Sequence, residues 1–148
     1  MKSIICTPIS RRYFKNDEFR PRHGGYPEAA RRAAKAMQVP MVDMENMTAD
    51  WLIQLGDSAS RQYFMNVAPG ECIKFPEGKT DNTHLKENGA MVVGEMFAKA
   101  VVAQKIKPLS KHIVLGDSLQ PKYTEFCRPN FSSDKTVKQE SDMKSFKE

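Results

Sequence analysis

A β-branched run, "SIIC", is stopped by Pro8. Further on, "PEAARRAAKAMQ" opens with Pro27 and carries Ala30, Ala33, Ala34 and Met37 at helical spacing, and "VPMVDM" follows it. Proline in a first helical turn already has the backbone angle that a helix needs, and short β-branched runs bounded by breakers read as strands. Strand, helix, strand in that order predicts a right-handed parallel βαβ unit. That unit restricts the chain more than any other feature, because it implies an α/β architecture with a parallel sheet.

Between the first strand and the helix lies "ISRRYFKNDEFRPRHGGY", which is polar, aromatic and broken by Pro21 and Gly24-Gly25. It predicts a long loop, and loops of that length often line a site. After "VPMVDM", Thr48 is expected to cap a short helix through "ADWLIQL" that Gly56 ends, with a second short helix over "SASRQYFM". Pro69, Gly70, Pro76 and Gly78 predict another loop over residues 66–80. The longest periodic segment runs from Glu87 to Lys105. Ala90, Val93, Met96, Phe97, Ala100, Val101 and Gln104 share one face, and Pro108 closes the element. From Pro129 onward the chain is polar, mixed in charge and aperiodic, so an irregular tail is expected. The expected division is a domain over residues 1–113 and an extra C-terminal segment over 114–148.

The 148 residues are 40% apolar and 28% charged, which fits a soluble globular domain. The net charge of +5 sits in short pairs (Arg11-Arg12, Arg20 with Arg22, Arg31-Arg32) and forms no stripe, so no nucleic-acid partner is expected. Cys6, Cys72 and Cys127 are widely spaced and show neither CxxC nor a zinc pattern. Cys6, in an apolar run, is expected to be a packed core thiol. A metal site built from His23, His84 and Asp81 has no spacing to recommend it, and no cofactor is expected. No signal peptide is read at the N-terminus, and no apolar run reaches the length of a membrane span, so no membrane partner is expected.

The chemistry concentrates in "DNTHLKENGA", residues 81–90. A serine hydrolase needs a base to take the hydroxyl proton and a carboxylate to fix that base's tautomer. Asp81-x-x-His84, on a loop entering a helix, can supply both. The plainer alternative is that Asp81 or Thr83 only caps the helix. Two Gly-Asp-Ser triplets are also present, "LGDSAS" at 55–60 and "IVLGDSLQ" at 113–120. Ser58 in the first is expected to cap the following helix. Ser118 in the second follows a β-branched run, as a nucleophile would.

The block "DNTHLKENGAMVVGEMFAKAV" followed by "KPLSKHI" resembles the closing part of the SGNH (GDSL-type) hydrolases, in the rhamnogalacturonan acetylesterase-like branch. "CTPISRRYF", "HGGYPEAAR", "VPMVDM" and "PEGKTDNTHL" resemble successive segments of that branch, so the likeness covers residues 3 to 113 in order. It implies a partial flavodoxin-like three-layer α/β/α sandwich with a parallel sheet. Asp81 would be the triad acid, His84 the base, and the substrate an acetylated polysaccharide or another ester. Arg11, Arg12 and Tyr13 would contact an acidic pectic sugar, or else anchor their loop. Members of the family are often periplasmic or secreted.

The family's nucleophile and oxyanion-hole blocks are not matched. Ser118 would then be the nucleophile only if the domain were circularly permuted. Two expectations follow from this: a carboxylic ester hydrolase of Ser-His-Asp type, or a truncated, non-catalytic α/β fragment. The fragment would be inactive alone, would form homo-oligomers, or would need a missing N-terminal segment or a partner chain.

Overall fold

The computed structural model describes residues 3–116. Ser118 and Cys127 lie outside them. The larger unit holds described residues 3–66 and 80–116, and the smaller holds residues 67–79.

In the larger unit, β1 (Ile5–Cys6) and β4 (Met41–Val42) pair in parallel, with Ile5 opposite Met41 and Cys6 opposite Val42. Helix α1 (Tyr26–Met37) joins them, as the strand–helix–strand order predicts. Pro27 is buried in its first turn, Glu28 follows there, Lys35 sits near its end, and Gln38 caps it in the left-handed region. Of the expected small-residue face Ala34 is buried, whereas Met37 is 67% exposed at the tip. Cys6 is exposed, not a core thiol: in a strand of two residues its side chain falls on the face opposite Ile5.

The long segment after β1 is not all loop. Phe14–Lys15 (β2) and Glu18–Phe19 (β3) form an antiparallel hairpin, and Asn16 and Asp17 at its tip both have positive φ. Asn-Asp between aromatic residues is a two-residue hairpin signal, because both side chains tolerate the left-handed region. Phe14 and Phe19 then meet edge to face across the strands, with ring centroids 5.7 Å apart.

Helix α2 (Met44–Ser60) is capped by Asp43, whose carboxylate accepts from the Asn46 amide, and not by Thr48. Thr48 is buried one turn inside; its hydroxyl donates to the Met44 carbonyl (2.6 Å) and accepts from the Ser10 amide (2.8 Å). Gly56 interrupts the helix at φ 74°, and helix resumes to Ser60 before a 3₁₀ turn over Arg61–Tyr63. Ser58, the expected cap, is exposed within this run, while Ser60 is fully buried.

Arg31 clamps α1 to the start of α2. Its Nε lies 2.9 Å from Asp43 Oδ2 and its Nη2 2.6 Å from Glu45 Oε2. Arg31 holds the Asp43 carboxyl below its ordinary value; the Thr7 hydroxyl and the Asn46 amide add to this, against partial burial. A depressed carboxylate stabilises the fold above the unfolded-state pKa, and the gain is lost as pH falls through the lower folded value. In acid titrations of thermal stability, wild type should exceed Asp43→Asn by about 1–2 kcal/mol at neutral pH. That gap should shrink as pH falls below about 4, the unfolded-state value, and vanish once the more acidic folded carboxyl is protonated.

Helix α3 (Glu87–Ala103) is the periodic segment foreseen in the sequence. Val93, Met96, Phe97 and Ala100 pack against a core of Val42, Met44, Val101 and Ile106. At its N-terminus Gly89 approaches Tyr63 so closely that a Cβ would lie 2.3 Å from the Tyr63 carbonyl oxygen. Backbone cannot yield there as a side chain can. Gly89→Ala should therefore cost about 1–3 kcal/mol in chemical denaturation.

In the smaller unit, Val67 and Lys79 exchange two backbone hydrogen bonds (2.8 and 2.9 Å) and close a compact loop. Glu71 accepts from the Ala68 amide, and Cys72 is fully buried. The fold of the described residues is mixed α/β, with three α-helices and one small parallel strand pair. No helix among these residues is long and apolar enough to cross a membrane.

Candidate active site

Asp81 and His84 meet as their spacing foretells: His84 Nδ1 lies 2.8 Å from Asp81 Oδ2. The other carboxylate oxygen accepts from the backbone amides of Thr83 and His84, both at 2.9 Å, so the carboxylate closes its own turn. Helix α3 starts later, with Lys86 as the cap residue and no side-chain cap bond. The helix-cap alternative for Asp81 and Thr83 therefore has no counterpart in the geometry. The Asp81 side chain is 14% exposed and that of His84 74%, which sets a sheltered carboxylate behind an open imidazole. When neutral His84 donates from Nδ1 to Asp81, its Nε2 lone pair is free to accept a proton.

The turn is held from three sides. The Arg12 amide donates to the Asn82 carbonyl, the Met65 amide to the His84 carbonyl, and the Lys86 amide to the Tyr63 carbonyl, each at 2.9 Å. An isolated bridge between Phe64 and Leu85 continues the pairing, and Phe64 is 1% exposed, so the base is seated on buried structure.

Arg11 and Arg12 differ in setting. Arg11 is exposed, whereas Arg12 is 3% exposed. Arg12 Nε donates to Ser60 Oγ (2.9 Å), Nη1 to Asn82 Oδ1 (2.7 Å), and Nη2 to the carbonyl and carboxylate of Asp57. Burial pulls the Arg12 guanidinium below its ordinary pKa; Asp57 opposes that and Arg61 adds to it. Arg11, Arg12 and Tyr13 line a shallow pocket of about 310 Å³ together with Arg22, Asn82 and Thr83. The Arg22 guanidinium lies over the Tyr13 ring, 3.6 Å from its centroid.

The structure thus brings Asp81, His84, Arg11, Arg12 and Tyr13 into one neighbourhood of the larger unit. Ser118 lies outside the described residues. Asn82, Ser60 and Arg22 escaped the sequence reading. Asn82 was in view inside "DNTH", but nothing in spacing assigns it to Arg12, seventy residues away. Arg22 was in view as a basic residue of the long loop, but nothing in spacing places it over Tyr13.

No protein-family model matches the chain, and no solved structure matches it significantly. Over 112 residues it is 32% identical to the rhamnogalacturonan acetylesterase RhgT of Bacillus subtilis (strain 168), a match covering 75% of this chain. The chain spans about half (48%) of the length of that curated relative. Over the matched stretch the two are homologous, which bears out the SGNH resemblance for part of a family chain.

Proposed function

Starting from this partial homology to an SGNH-family acetylesterase, we propose that the chain contributes the acid and base of an ester hydrolase that removes acetyl groups from an acidic polysaccharide. The observation that carries the reading is the 2.8 Å contact between His84 Nδ1 and Asp81 Oδ2, with the imidazole open to solvent. His84 Nε2 takes the proton of a serine hydroxyl as the oxygen attacks the ester carbonyl and gives it to the sugar oxygen as the C–O bond breaks. The same nitrogen then takes a proton from the water that attacks the acetyl-serine and returns it to the serine oxygen as acetate leaves. Asp81 fixes the tautomer and stabilises the imidazolium. Ser118 is the nucleophile the sequence offers. The flavodoxin-like sandwich is the frame proposed for the whole domain.

The neighbouring pocket supports an anionic substrate. Exposed Arg11 and Arg22 each present a guanidinium that can take a carboxylate in bidentate fashion, with Arg22 held over the Tyr13 ring. Acetyl release should be compared on an acetylated galacturonate-containing oligosaccharide and on a neutral acetyl ester. Arg22→Ala should raise KM for the acidic substrate by about tenfold and leave the neutral one within about twofold, since one charged hydrogen bond is worth about 1.5–3 kcal/mol. Equal effects on both substrates contradict the carboxylate reading. Acetyl release that survives His84→Ala contradicts the hydrolase reading itself.

A further inference from the structure

The Asp81–His84 turn has little apolar burial of its own: Thr83 and His84 are exposed, and Asn82 is half-buried. Turns of this kind open locally at low cost unless something rigid holds them. The rigid part here is α2. From its kinked end, Ser60 Oγ and Asp57 engage the Arg12 guanidinium, whose remaining nitrogen reaches Asn82 Oδ1 at 2.7 Å. Asn82 Oδ1 also accepts from Asn66 Nδ2 at 3.2 Å. The Arg12 backbone amide bonds the Asn82 carbonyl as well, so one residue grips Asn82 at main chain and side chain together.

We propose that Arg12 is a positioning residue: by holding Asn82 within the turn, it keeps His84 Nδ1 on Asp81 and Nε2 directed outward. The inference rests on the hydrolase reading of His84 for its functional meaning, though not for its geometry. Only a planar fork with donors in several directions can span Ser60, Asp57 and Asn82 at once, and lysine has one compact donor centre. A rival account is that Asp81 closes the turn unaided, through the Thr83 and His84 amides.

Nitrogen NMR of the full chain decides between them by reading the ratio of Nδ1–H to Nε2–H tautomers of neutral His84. Wild type should be dominated by Nδ1–H. Asn82→Ala should lower the ratio at least about threefold, because the turn loses its hold and the imidazole its fixed partner. Asn82→Asp keeps an oxygen acceptor for both Arg12 and Asn66 and should restore the wild-type ratio. Arg12→Lys should behave as Asn82→Ala does; should it fail to fold, the two Asn82 variants, which leave the buried guanidinium in place, carry the test. In acetyl release, Asn82→Ala should lower kcat by about ten- to a hundredfold, more than it raises KM, as expected for a misplaced base. A wild-type tautomer ratio in Asn82→Ala overturns the positioning role and leaves the hydrolase reading intact. Acetyl release surviving His84→Ala removes the hydrolase reading and leaves the tautomer result standing.

Discussion

Replacing His84 with alanine should lower kcat/KM for acetyl release by about 10⁶-fold, the scale on which a serine hydrolase loses its base. Thermal unfolding should stay nearly unchanged, because the structure separates the imidazole's chemistry from its backbone's role. The side chain is 74% exposed, so its removal leaves no cavity. The contacts that seat the turn come from the main chain: the His84 carbonyl accepts from the Met65 amide, and the His84 amide donates to Asp81 Oδ1. Alanine retains both. Activity lost without stability lost identifies a base; a parallel loss of both would make His84 a structural residue.

The second large effect falls on stability. Arg12→Ala should cost about 3 kcal/mol in denaturant unfolding, the lower end of what breaking a buried ion pair costs. The guanidinium is buried, and truncation leaves Ser60 Oγ, itself fully buried, without its Arg12 donor. Two circumstances limit the loss. Asp57 is 37% exposed and can be solvated once its partner is gone, and Ser60 still donates to the Asp57 carbonyl at 3.0 Å. Arg12→Met, which restores much of the apolar stem, should recover part of the loss but not the side-chain bond to Asn82 Oδ1. A cost below about 1 kcal/mol would place Arg12 among surface ion pairs.

Much of this arrangement was legible in the chain. Pro27, the alanines of α1 and the β-branched run before Pro8 predicted the parallel pair, since proline and periodicity act locally. Helix α3 was legible because seven spaced positions agreed on one face, and five of them meet or form the core. Errors arose where tertiary contacts overrode local preference. Thr48 has the chemistry of a cap, yet the Ser10 amide from a distant segment claims its hydroxyl, and Asp43 caps α2. Asn16-Asp17 was a readable hairpin signal hidden in a segment whose polarity suggested loop.

At the site, Asp81 and His84 were legible because three residues of spacing set their contact. Arg12 was legible as a basic residue that would contact substrate or anchor its loop, but not by which partners. Its burial depends on Ser60 and Asp57, forty-eight and forty-five residues further on, a pairing that only folding specifies.

On the reading proposed above, His84, held by Asp81, activates a serine for attack on an ester. A fluorophosphonate that reacts only with an activated serine, followed by peptide mapping of the labelled chain, tests this most directly. One labelled serine is expected, with Ser118 as the candidate, and at least about a thousandfold slower labelling in His84→Ala. No labelled serine in the wild-type chain, or labelling at an equal rate in His84→Ala, would contradict it.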